Sequence, residues 1–135
     1  MKSFIHVLAA FTIVVAASSC GSRDPQPPLY AISGRITYQG KPLETGKVVF
    51  IPTEVGGGKA YYAQIQNGEF RGEATAGEKN VQIISERPTG EVIKGDRGEE
   101  FIVTESVLPK QYGEFSKIMF TVETHPNNEL VLDLE

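Results

Sequence analysis

Between Leu29 and Glu135 the apolar residues never recur at the i, i+3, i+4, i+7 spacing that an amphipathic helix needs. They come instead in short runs rich in β-branched and aromatic residues, separated by Gly, Pro and Asn. Seven such runs can be read: Tyr30–Tyr38, Lys47–Ile51, Ala60–Ile65, Glu69–Ala74, Asn80–Ser85, Ser116–Thr124 and Leu130–Leu134. Asn67-Gly68, between the third and the fourth, is the dipeptide of a two-residue hairpin. Two runs alternate cleanly. Ile118, Phe120 and Val122 share one side of their strand, and Leu130, Leu132 and Leu134 one side of theirs, so both sides are expected in a core. Short strands with turns roughly every 8–12 residues predict an all-β, seven-stranded sandwich over residues 29–135. A chain of 135 residues has room for one such domain.

One stretch breaks the pattern. Glu86 to Phe115 is polar and carries Pro88, Gly90, Gly95, Gly98, Pro109 and Gly113. It is expected as a long loop, with room for one extra short strand at Phe101–Val103. Long loops are uncommon in compact domains and are often where binding occurs.

Ahead of the domain the chain reads differently. Lys2 supplies a positive charge, and Phe4 to Ala17 is an apolar run broken only by His6 and Thr12. Spanning a membrane takes about 20 apolar residues, so this run is too short, and it ends in the small residues Ala16-Ala17-Ser18-Ser19. That is the layout of a secretory signal peptide over residues 1–19. Cys20, the one cysteine of the chain, follows directly. Residues 20–28, CGSRDPQPP, hold three prolines and no large apolar side chain, and read as an extended tether.

Ala17-Ser18-Ser19-Cys20 resembles the lipobox of bacterial lipoproteins, with Ala17 where leucine is commonest. That resemblance implies that Cys20 becomes the acylated N-terminus and anchors the chain to a membrane. Two or three acyl chains, at about 0.8 kcal/mol for each buried CH₂, hold far better than one. Gly21, in place of an aspartate, implies export to the outer membrane rather than retention at the inner one. The domain carries a second resemblance. Ile32-Ser33-Gly34-Arg35-Ile36-Thr37-Tyr38, then Gly40-Lys41-Pro42-Leu43, is similar to the opening of carboxypeptidase-regulatory-like, transthyretin-like domains. Gly46 to Pro52, Gly68-Glu69-Phe70 and Pro109-Lys110-Gln111-Tyr112 follow in the family's order. Gly77 to Ile83 departs from it by lacking a tyrosine. The family implies a prealbumin-like (Ig-like) sandwich that serves as a scaffold or binding module.

The residues offer little for catalysis. Lys+Arg is 13 and Asp+Glu is 17, a net charge of -4, so nucleic acid is not expected as a partner. His125 is the one histidine after the leader, and a triad or a histidine metal site would have to be built around it. Asp96, Glu99 and Glu100 cluster, yet without the spacing of a calcium loop. Gly56-Gly57-Gly58-Lys59 runs into Ala60 and a strand, not into the Ser/Thr and helix of a phosphate loop. Tyr61 and Tyr62 must point to opposite sides of one strand, one into the core and one outward. The outward tyrosine, with Tyr112, could form a sugar or peptide contact patch. Tyr112 is also placed to pack the long loop onto the sandwich.

The expectation is therefore an exported, lipid-anchored module of the cell envelope that is not an enzyme and takes no cofactor or metal. Its partners would be the membrane, through Cys20, and an envelope protein or glycan. The candidate surface is Tyr61, Tyr62, Asp96, Glu99, Glu100 and Tyr112. A carrier with a small-ligand pocket at the end of the sandwich is the alternative. A hydrolase would require a constellation that these residues do not supply.

Overall fold

The computed structural model describes Gly21 and residues 25–135; the apolar leader and Cys20 lie outside the described residues. Among the described residues all regular structure is strand except one turn of 3₁₀ helix. The strands are β1 (Leu29–Tyr38), β2 (Lys41–Pro42), β3 (Thr45–Pro52), β4 (Tyr61–Gln66), β5 (Glu69–Thr75), β6 (Gly77–Ile84), β7 (Glu86–Lys94), β8 (Glu100–Ser106), β9 (Ile118–Val122) and β10 (Asn128–Leu134), with the 3₁₀ turn at Lys110–Tyr112. The seven expected runs are β1, β3, β4, β5, β6, β9 and β10. The count of ten corrects the count of seven: β2 is a two-residue strand, β8 contains and extends the extra strand allowed at Phe101–Val103, and β7 comes from the stretch expected as a loop.

The main strands form two layers. One holds β10, β1 and β5, with β2 beside β1; the other holds β4, β3, β6 and β9. The layers join through β4 and β5, which pair only at Ile65↔Phe70 and Gln66↔Glu69, next to their turn. Asn67 and Gly68 have φ of 51° and 79°, the positive pair that a type I′ turn demands. Beyond those two pairs the ladder pairing stops, although Ala63 and Gly72 still approach closely, and the sheet curls back on itself into a sandwich-like body. β1 runs parallel to β10 and antiparallel to β5.

Alternation builds the core. Ile32 and Ile36 of β1, Phe70 and Ala74 of β5, and Leu130 and Leu134 of β10 face Val48 and Phe50 of β3, Ala63 and Ile65 of β4, Val81 and Ile83 of β6, and Val122 of β9. Each large aliphatic or aromatic side chain buried this way stabilises the fold by about 1.5–3 kcal/mol. The rings of Phe50 and Phe70 meet across the layers with centroids 6.1 Å apart. Gly34 is what lets that packing close. A β-carbon there would lie 2.0 Å from the carbonyl oxygen of Leu130 and 2.6 Å from the Phe70 ring. The Ser33-Gly34 and Gly68-Glu69-Phe70 motifs thus describe one contact, a ring seated on bare backbone.

The expected loop is mostly a hairpin arm. β7 and β8 pair with each other as a separate two-stranded sheet. The register shifts between Pro88 and Val92, a bulge that includes Gly90 at φ 86°. At the tip, Gly95 and Glu99 bracket a three-residue loop closed by Gly98 at φ 85°. Prolines and glycines that read as loop signals are the bulge and tip of a hairpin. The arm is rooted at buried Ser85, whose hydroxyl donates to the Thr45 carbonyl at 2.7 Å and whose carbonyl accepts the Val107 N–H at 2.8 Å.

Register also sets which end is which. Leu29, where the chain enters β1, pairs with Thr75; at the other end of β1, Tyr38 pairs with Leu134 and Lys41. Lys47, near the start of β3, pairs with Ile84, just before the arm. The arm therefore leaves from the Tyr38 end, opposite the Leu29 end where residues 25–28 lead in, about 33 Å away along a ten-residue strand. Among the described residues no helix is long and apolar enough to cross a membrane.

Candidate functional site

β4 places its two tyrosines on opposite sides. Tyr61 is half-buried and packs on the core, with Lys59 Nζ 5.4 Å above its ring. Tyr62 stands outward and is 67% exposed. This is the division expected from their adjacency. Pairing gives Tyr62 its neighbours: Val49 lies directly across on β3, Lys47 lies across from Gln64, and Gln82 of β6 lies beyond Val49. Two shallow depressions flank the ring. One, of about 360 Å³, is lined by Lys47, Val49, Tyr61 and Gln64; the other, of about 440 Å³, by Gln64, Gln66, Glu69 and Arg71. The second lies where the ladder pairing of β4 and β5 stops. Lys47, Gln64 and Arg71 sit on three strands, so only the register brings them together.

Tyr112 does not join that patch. It ends the 3₁₀ turn, packs against the core, and its hydroxyl donates to the Glu135 carbonyl at 2.9 Å and accepts the Glu135 N–H at 3.1 Å. It ties the segment after the arm to the end of β10, a packing role. Asp96, Glu99 and Glu100 share the tip of the arm. Glu99 accepts the Arg97 backbone N–H at 3.0 Å, and Glu100 lies 4.0 Å from Lys94. No hydrogen bond or ion pair among the described residues links these acids to the tyrosines. The expected surface is three separate places.

The arm carries an apolar surface that the sequence reading passed over. Val92, Ile93, Phe101 and Ile102 are each 50–64% exposed. Val92 pairs with Ile102 and Ile93 with Phe101, so neighbouring pairs show apolar side chains on both sides of the ribbon. The base is held by Arg87 Nε and Glu105 at 2.6 Å.

Two buried polar residues were also missed. Lys79 is 2% exposed, on the core side of β6 with Val81 and Ile83. Its Nζ donates to Thr75 Oγ1 at 3.2 Å and to the Ala76 carbonyl at 3.1 Å. Burial pushes its pKa below the usual lysine value, partly opposed by the charge of Glu54. Extending the alternation of Val81 and Ile83 back by two residues would have found it. Asn128 is 4% exposed and opens β10. Its amide donates to the carbonyls of Ala31, Glu123 and His125. His125 is exposed, and its Nδ1 accepts the Asn127 N–H at 3.3 Å. Among the described residues no group of three His, Cys, Asp or Glu side chains is placed to hold a metal.

No family model matches the chain, and no curated protein does. Among solved structures, it is similar to a crystal structure of a 9R-lipoxygenase from Cyanothece PCC8801, at 14% identity and a TM-score of 0.43. That match covers 78% of this chain and 16% of the lipoxygenase, so the chain spans a small part of that protein's length. That neighbour is an enzyme, which runs against the expectation that this chain is not one. A likeness of that size carries no activity from one protein to the other. The sandwich-like body is compatible with an Ig-like or prealbumin-like domain.

Proposed function

We propose that the chain is a lipid-anchored binding module of the cell envelope, a prealbumin-like sandwich of the carboxypeptidase-regulatory-like kind held to a membrane through Cys20. The observation that supports it most is directional. The tether enters at one end of β1 and the arm leaves from the other, so a body anchored through Cys20 presents Val92, Ile93, Phe101 and Ile102 away from the lipid surface. Exposed apolar residues grouped on a projecting element suit a protein partner. The leader and lipobox support export, with Gly21 favouring the outer membrane.

The test has two arms. A palmitate analogue fed to cells labels the wild type and leaves Cys20→Ala unlabelled and free of the membrane fraction. A photoreactive residue in place of Ile102 forms an adduct that Phe101→Ser abolishes. Equal label on both chains defeats the anchor, and an adduct indifferent to Phe101→Ser defeats the docking role.

A second reading, a small-ligand carrier, is favoured by a cleft of about 460 Å³ at the arm end of the body. Tyr38, Leu43, Glu86, Arg87 and Val107 line it. Its volume lies in the range of small-molecule sites, roughly 300–1,000 Å³.

A further inference from the structure

We infer that the outer face of β3, β4 and β5 around Tyr62 is a binding platform for a carboxylate-bearing polysaccharide. The inference rests on the binding-module reading but uses neither the arm nor its partner. Tyr62 is a large ring, 67% exposed, standing on a regular strand between two depressions. The ring stands between the two shallow, open depressions, which suit a linear chain laid across β4 better than an enclosed molecule. A tyrosine ring offers an apolar face to the C–H side of a pyranose and a hydroxyl to water. Gln64 and Gln66, on the same side of β4, offer amide donors and acceptors that match sugar hydroxyls.

Charge selects the class of glycan. The chain is net -4, yet Lys47 lines the depression on one side of Tyr62 and Arg71 the depression on the other. One acid lines the depressions, Glu69, and it lies 3.8 Å from Arg35. Glu73 lies further along β5, outside both depressions. Cations gathered around an exposed ring, on an acidic protein, complement a polymer with a carboxylate on its sugars. An arginine suits that group through paired N–H donors. One tyrosine and one valine, Val49, are too little apolar area for the core of a stable protein interface.

The experiment uses the chain from Cys20 onward without its lipid, run in gels containing polygalacturonate, alginate or the methyl ester of polygalacturonate. Both acids are expected to retard the chain, and the ester much less. Tyr62→Ala is expected to weaken retardation by about tenfold, as loss of one stacked sugar would, and Tyr62→Phe to restore most of it. Lys47→Gln combined with Arg71→Gln is expected to erase the preference for acid over ester. Retardation by neither acid overturns the inference, as does Tyr62→Ala running like the wild type. Equal retardation by acid and ester overturns the choice of an acidic glycan. Phe101→Ser should leave the gels unchanged. Loss of the Ile102 adduct with retardation intact counts against the arm alone, and the reverse against this platform alone.

Discussion

The sandwich-like body and the β7–β8 arm are made of similar strands put to opposite use. In the body every second residue goes inward: β6 alternates Lys79, Val81 and Ile83 buried with their neighbours outward, and β10 does the same with Asn128, Leu130 and Leu134. In the arm, all of β7 is exposed, and so is β8 apart from half-buried Val103. Yet the arm has Val92, Ile93, Phe101 and Ile102, side chains of the kind that fill the body's core. The difference is the absence of a second layer. A two-stranded ribbon has nothing to bury against, and an isolated hairpin is at best marginally stable in water. The arm is held instead by its tip turn, by Arg87 and Glu105, and by Ser85 at its root. Strand pairing and burial are thus separable, and this molecule separates them at the boundary between Ser85 and Glu86.

The contrast can be broken most forcefully from the side of the body. Gly34→Ala forces a β-carbon into the Leu130 carbonyl and the Phe70 ring, and should lower the free energy of unfolding by about 4 kcal/mol in urea titrations. A loss no larger than that of an ordinary surface change would mean that β1, β5 and β10 can shift within their layer at no cost. Lys79 gives a smaller, pH-dependent effect. Its folded pKa is lowered from 10.5, so between the folded value and 10.5 the unfolded chain binds more protons than the folded one. Stability of the wild type relative to Lys79→Met should therefore rise as pH climbs towards 10.5; a flat difference across that range would show that the amine is hydrated. The arm should respond least. Phe101→Ser is expected to change stability by no more than about 0.5 kcal/mol, because its side chain is already half in water. Arm amides should exchange with deuterium well before those of β3 and β6. A loss of several kcal/mol on Phe101→Ser would mean that the arm packs against the body after all.

Much of the body can be read directly from the chain. Alternation in Leu130–Leu134 and Ile118–Val122, and the Asn67-Gly68 turn, are local signals, and local signals survive folding. Tyr61 and Tyr62 divide between inside and outside for the same reason. The arm was legible only at Phe101–Val103, because its hydrophobic residues lack alternation against a buried layer and its Pro88, Gly90, Gly95 and Gly98 serve a bulge and a tip as well as they would serve a loop. Lys79 was missed because its charge outweighed its place in the alternation.

Sequence alone determined the all-strand character, the main turns and most of the inward-facing positions, since these follow from period-two patterning and backbone preference within a few residues. Only the tertiary structure decided that β4 and β5 stop pairing after two pairs, that Lys47, Gln64 and Arg71 gather around Tyr62, and that the arm leaves from the end of the body opposite Leu29. Those facts depend on which strands lie side by side and in what register, a property of residues far apart along the chain, set by the packing of the two layers against each other.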